Sequence, residues 1–121
     1  MITETSTRRI EPDITVFAIS GRLNLGNSLI STENAIRKLA DDGVRKLIVD
    51  LTSLSFIDSS GIGMLVSCCG HMEQRGGRMR IAGVQGPVAK VLGLVHIDRI
   101  VSLDADVESS SRQLAAEAAS A

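Results

Sequence analysis

Tryptophan and tyrosine are absent from this chain of 121 residues, and with only two phenylalanines aromatics make up 2% of it. That scarcity removes the stacking platforms on which proteins hold single-stranded nucleic acid and leaves Leu, Ile, Val, Ala and Met to build a core. Charge of one sign is lacking as well: 13 Lys and Arg stand against 14 Asp and Glu, for a formal net charge of −1. With both signs interspersed there is no electrostatic footprint for DNA, RNA or an anionic membrane, so a protein partner or a small ligand is expected. Arg8-Arg9, Arg37-Lys38, Arg45-Lys46, Arg78 with Arg80, and Asp41-Asp42 read as solvated faces. No apolar run approaches the ~20 residues that cross a bilayer, and direct membrane insertion is not expected. The first residues lack the basic-then-apolar order of a signal peptide, which points to the cytoplasm.

Cysteine is sparse too. Cys68 and Cys69 are adjacent within an apolar helical stretch, a spacing that suits neither a disulfide framework nor a zinc knuckle, and they read as buried, inert thiols. The two histidines, His71 and His96, complete no metal constellation; His96 reads as a cap or a packed ring. No metal site and no cofactor of the chain's own are expected.

What is present is a hydrophobic content of 44%, enough for one core, and a single domain over residues 1–121 is expected. Thr5–Glu11 and Ile14–Ser20 read as two strands joined at Glu11-Pro12-Asp13. After a polar connection over residues 21–28, Leu29, Ile36, Leu39 and Ala40 share a helical face up to Gly43. Val44 to Leu51 is a β-branched apolar strand, and Leu54-Ser55-Phe56-Ile57 carries its apolar character on to Asp58. Ile62, Leu65, Val66, Cys69 and Met72 then recur at helical spacing as far as Arg75, before Gly76-Gly77. A strand at Arg78–Ala82, a short helix from Pro87, a strand at Ile100–Leu103 and an Ala-rich helix over 106–119 follow, with Val107 and Leu114 as its apolar contacts. Its end, residues 116–121, carries nothing large to bury and is expected to fray. The alternation argues for an α/β fold: a mixed, mainly parallel sheet of about five strands, an initial hairpin and about four helices. Helices over one face only, with the other partly open, are an option for so short a chain that the pattern alone does not settle.

Ile57-Asp58-Ser59-Ser60-Gly61-Ile62-Gly63 is the stretch that carries chemistry, because an apolar strand ends abruptly where a helix begins. A helix start leaves about four backbone N–H groups unpartnered and partly positive, so Asp58, Ser59 or Ser60 can cap it. A hydrolase nucleophile elbow needs Gly two positions to either side of its serine, but Ile57 and Asp58 precede Ser59 and Ser60 by two. A Walker loop needs Lys followed by Ser or Thr where Met64-Leu65 stands, and a dinucleotide fingerprint needs Gly at Val66. No catalytic residue follows from these patterns. Two compatible readings remain: a cap, and a hydroxyl held at the surface for a partner that transfers phosphate to it.

With those residues in view, the chain resembles the STAS domain family, and within it the stand-alone bacterial anti-sigma factor antagonists. The resemblance rests on Ile19-Ser20-Gly21-Arg22-Leu23, on Lys46 to Leu51, on Leu54 to Gly63 and on Gly76-Gly77 before a strand; the third is the specific part. It implies a partner switch of the kind used in stress responses and sporulation, in which the unphosphorylated antagonist binds an anti-sigma factor that is also a serine kinase and so frees a sigma factor. It implies Ser59 rather than Ser60 as phosphoacceptor, and a partner surface of Asn24, Asp58, Ser59, Ser60, Gly61, Ile62 and Gly63. ATP and Mg²⁺ would belong to the kinase and a PP2C-type phosphatase would reset the switch, so the chain is a substrate and not an enzyme. Where many members have Gly-Glu-Leu-Asp this chain has Gly21-Arg22-Leu23-Asn24, and an amide there reduces repulsion of a phosphate at Ser59. The alternative is a STAS subunit of a membrane transport or signalling assembly, with the serine motif kept only as a cap.

Overall fold

The computed structural model of the chain describes residues 3–120, and the side chains of residues 3–117. Six strands and four helices follow one another as β1 (Glu4–Ile10), β2 (Ile14–Leu23), α1 (Asn27–Asp41), β3 (Lys46–Asp50), β4 (Leu54–Ile57), α2 (Ser59–Gln74), β5 (Arg78–Ala82), α3 (Gly86–Leu94), β6 (Ser102–Asp104) and α4 (Val107–Ser120). A single 3-10 turn, Ile97–Arg99, lies between α3 and β6. The strand order is β1-β2-β3-β5-β6, antiparallel in the first pair and parallel in the others, with β4 attached to β2.

The sixth strand comes from a division that periodicity does not show. The apolar character of residues 46–57 is broken at Thr52 and Ser53, where Asp50 Oδ1 accepts the Thr52 N–H at 3.0 Å and turns the backbone. Leu54–Ile57 therefore starts afresh and pairs, parallel, with Gly21–Leu23, the far end of β2. β2 serves two partners in succession: Ile14–Ala18 runs along β3, and the register shifts between Gly21 and Arg22 where β4 takes over. This extends β2 into residues expected to be a loop and brings Leu23 beside Ile57.

Alternation along the strands divides the core in two. Phe17, Ile19, Leu47, Val49, Met79 and Ile81 face α1, α2 and α3, meeting Leu29, Ile36, Leu65, Cys68, Met72 and Leu92 in the main cluster. Ile14, Val16, Ile48 and Ala82 point the other way, toward Leu114 and Val107 of α4. So α4 alone covers the second face, and β1, exposed over residues 4–9, extends beyond it. Arg80 fastens α4 to the sheet: its Nε and Nη2 donate to Asp104 at 2.6 and 3.0 Å, and its Nη1 reaches Glu117. The backbone of α4 continues to Ser120, with Glu117 bonded by Arg80, and Ala121, at the end of the stretch expected to fray, lies outside the described residues.

One further expectation changes and another narrows. The strand placed at Ile100–Leu103 begins only at Ser102, because the 3-10 turn occupies the preceding residues and leaves Ile100 exposed. His96 is exposed and not a packed ring, and it caps the end of α3 through its backbone: in a left-handed conformation (φ 55°) it donates its N–H to Gly93 O at 3.2 Å, while its side chain makes no capping bond. The cysteines are as expected, free and buried, and burial pushes Cys68 up to about 12 and Cys69 to about 11.

Candidate functional site

β4 ends at the buried Ile57, and Asp58 continues it in extended conformation (φ −112°, ψ −176°), donating its N–H to Leu23 O at 3.3 Å. The chain turns into α2 at the next residue. Of three residues able to cap it, Asp58 does so: its Oδ1 accepts the Gly61 N–H at 3.0 Å. Its other oxygen, Oδ2, accepts the Leu25 N–H at 3.1 Å. These bonds, with that from Gly61 the largest influence and desolvation opposing it, hold the carboxyl below its ordinary value of 3.8, so Asp58 is anionic at neutral pH.

Because the acid caps the helix, the serines are released from that task. Ser59 is exposed as the first residue of α2, and Ser60 is half-buried as the second. The partial positive charge of the helix start lies directly behind them.

Gly61 is needed here for space. A Cβ on it would lie 2.4 Å from Leu23 O and 2.8 Å from Ile57 Cγ1, so α2 meets the ends of β2 and β4 with no room for a side chain. Ile62 is half-buried and packs on the main cluster, while Gly63 is exposed and a Cβ on it would meet nothing within 4 Å. Asn24 lies half-buried between Leu23 and Leu25, both tied to Asp58. The structure thus brings every residue proposed from sequence to one place, the mouth between the β2–α1 loop and the start of α2.

Sequence reasoning passed over several exposed apolar residues of these segments. Leu25 is 77% exposed and Ile30, in the first turns of α1, 60% exposed. Phe56 in β4 is also exposed, with the Arg22 guanidinium 4.1 Å above its ring. A leucine inside an otherwise polar, glycine-bounded segment is a signal, since nothing local needs it there. Two cavities lie elsewhere. One of about 790 Å³ is lined by Lys46, Arg78, Leu114 and Glu117, at the opposite ends of the parallel strands, and one of about 250 Å³ lies beside β1. Ser59 lines neither of them.

One family profile spans most of the chain: the STAS domain matches residues 6–110. The chain belongs to the STAS domain family. Among curated STAS relatives, the anti-sigma F factor antagonist of Paenibacillus polymyxa is 26% identical over 77 residues, covering 60% of this chain and 66% of that one. An anti-sigma factor antagonist from Mycobacterium paratuberculosis superposes with a TM-score of 0.80 over 93% of this chain and 94% of its own, at 18% identity. SpoIIAA, a Bacillus cell fate determinant solved in phosphorylated form, gives 0.70 over 91% and 98% at 20% identity. At these identities the structural likeness is one of fold. Among the described residues of this STAS chain no helix is long and apolar enough to cross a membrane, and no group of three or more His, Cys, Asp or Glu is placed to hold a metal ion.

Proposed function

We propose that this STAS protein is an anti-sigma factor antagonist that works by partner switching, with Ser59 as its phosphoacceptor. The observation that carries this reading is the division of labour at the start of α2: Asp58 takes the cap and leaves the Ser59 hydroxyl exposed. The names of its relatives and the SpoIIAA fold in phosphorylated form support it.

Unphosphorylated, the protein binds an anti-sigma factor that is also a serine kinase, and the sigma factor is freed for transcription in the bacterial cytoplasm. The kinase, holding ATP and Mg²⁺, then joins the γ-phosphorus to Ser59 Oγ; ADP leaves and the hydroxyl proton passes to a base of the kinase. The product carries a charge of about −1.5 to −2 beside the Asp58 carboxylate. Helix-end N–H groups stabilise part of that charge, but a partner surface shaped for a neutral serine is repelled and the complex separates. Asn24, in place of an acid, spares the phosphate a further repulsion. A PP2C-type phosphatase hydrolyses the ester and restores the binding form. The chain performs no chemistry of its own in this cycle.

Incubation with ATP and the cognate serine-kinase anti-sigma factor, followed by phosphopeptide mapping, tests the assignment: the label is expected on Ser59, and label only elsewhere would overturn it. Ser59→Asp is expected to weaken kinase binding at least about tenfold, equivalent to about 1.4 kcal/mol, while Ser59→Ala binds like the natural protein. Equal affinities would end the switch reading.

A further inference from the structure

β1 is the uncovered edge of the sheet. It stands first in the strand order, pairs among the described residues only with β2, and is exposed at every residue from Glu4 to Arg9. Its outer row of N–H and C=O groups, about 23 Å long over seven residues, is a template for a further strand. Proteins blunt such an edge with a bulge, a proline or a lysine. β1 has none of these: its register runs unbroken from Glu4 opposite Ser20 to Ile10 opposite Ile14, and it reads Glu4-Thr5-Ser6-Thr7-Arg8-Arg9-Ile10.

Its charged residues are the guard that is left, and they are not alike. Arg9 is engaged within its own hairpin, with Glu11 at 3.7 Å and with Pro12 O at 2.7 Å. Glu4 and Arg8 form no ion pair among the described residues, and strand alternation puts both on one face, with Ser6 between them. Two antiparallel copies of one strand are related by a dyad that passes where a residue faces itself. With the dyad at Ser6, Thr5 faces Thr7 and Glu4 faces Arg8, twice over because the pairing is reciprocal. A dyad at Thr5 sets Glu4 against Ser6, one at Thr7 sets Glu4 against Ile10, and one at Arg8 sets arginine against arginine. Only the register at Ser6 joins opposite charges.

We infer that β1 pairs antiparallel with β1 of a second copy of this chain about a dyad at Ser6, so that two sheets become one with Glu4 and Arg8 of each copy joined across the seam. Opposite charges directly across antiparallel strands favour pairing, and like charges oppose it. The overlap from Glu4 to Arg8 is smaller than the about 800 Å² per partner of a stable complex, so the association is weak and reversible. The seam also leaves the start of α2 clear. Thr3, leading into β1, donates from Oγ1 to Arg22 O on one side of β2, whereas Leu23 O accepts from Asp58 on the other, where β4 leads to Ser59. Pairing therefore does not depend on Ser59 or on what binds it.

Sedimentation velocity of the full chain tests this, with thermal unfolding of each variant as the check on folding. The natural protein is expected to pass from monomer toward dimer between about 10 μM and 1 mM, the range of a small interface. Glu4→Arg and Arg8→Glu should each weaken the dimer at least about tenfold, and the double variant should recover it, because the same two charges then face each other exchanged. Ser6→Cys, incubated with oxidised glutathione, is expected to give a disulfide-linked dimer, while Arg9→Cys, opposite Thr3 and far from its own copy, gives none. Cys68 and Cys69 are buried and do not compete. Ser59→Asp should dimerise like the natural protein, and loss of the dimer there would move the seam to α2 and overturn the proposal. A natural protein that stays monomeric at about 1 mM also overturns it. So does a dimer that survives both single reversals, a double variant that does not recover, or linkage at Ser6 no better than at Arg9.

Discussion

Asp58 and Leu25, thirty-three residues apart, are joined by a 3.1 Å hydrogen bond from the Leu25 N–H to Oδ2, while the other oxygen of the same carboxylate caps α2. One side chain therefore holds both the helix that presents Ser59 and the loop that presents Leu25.

Removing that carboxylate should cost more than an ordinary cap. Asp58→Ala is expected to destabilise the protein by about 2 kcal/mol, the top of the range for lost caps, and Asp58→Asn by less, because the amide oxygen still accepts one bond. Urea unfolding checks the order. Hydrogen exchange adds a sharper readout: the Leu25 amide should exchange faster in Asp58→Ala, and an unchanged rate would mean that the bond does not protect it.

Acid should act through the same group. Asp58, and Asp104 beside Arg80, are held below their ordinary value of 3.8 in the folded protein. The stability they contribute is fully present above that unfolded value and is lost as pH falls through the lower folded values. The unfolding midpoint is therefore expected to hold from neutral pH to about pH 5 and to fall below about pH 4. Asp58→Asn should flatten part of that fall, and an identical acid limb in the variant would contradict the linkage.

Gly61→Ala should be harmful despite alanine's better helix propensity. Its Cβ would come 2.4 Å from a backbone carbonyl oxygen that cannot swing away, so α2 must shift from β2. Overpacking of this kind costs about 1–3 kcal/mol, against about 1 kcal/mol gained in propensity. A lowered denaturation midpoint is expected, and a raised one would show that the helix moves without cost.

Arg80→Ala should loosen α4. Arg80 and Asp104 are 12% and 9% exposed, and truncating the arginine leaves Asp104 with the Ser110 hydroxyl but no counter-charge. A loss of about 3 kcal/mol is expected. Faster amide exchange confined to α4 and β6 would place the effect, while uniform exchange across the sheet would not fit it.

Much of this was legible in local pattern. The period of Ile62, Leu65, Val66, Cys69 and Met72 identifies α2, and Asp58-Ser59-Ser60 marks its start, because capping demands such residues there. Other elements were hidden for stated reasons. β4 shares its apolar character with β3, and only the Asp50 turn separates them. Ile100 looked like strand because it is β-branched, yet the 3-10 turn ahead of it leaves it outside the sheet. Leu25 passed as loop, since its tie to Asp58 spans too much chain for any window to show.

By itself the sequence determined the order of elements apart from β4 and the 3-10 turn, and the polar junction at residues 58–60, which follow from side-chain period and helix-end chemistry over a few residues. Only the tertiary structure decided which of three capping residues takes the cap, that α4 sits alone on the second face, and that exposed Leu25 is tied to Asp58 beside Ser59. Those outcomes depend on where β2 hands over from β3 to β4, and on hydrogen bonds and packing between segments whose separation in sequence carries no periodic signal.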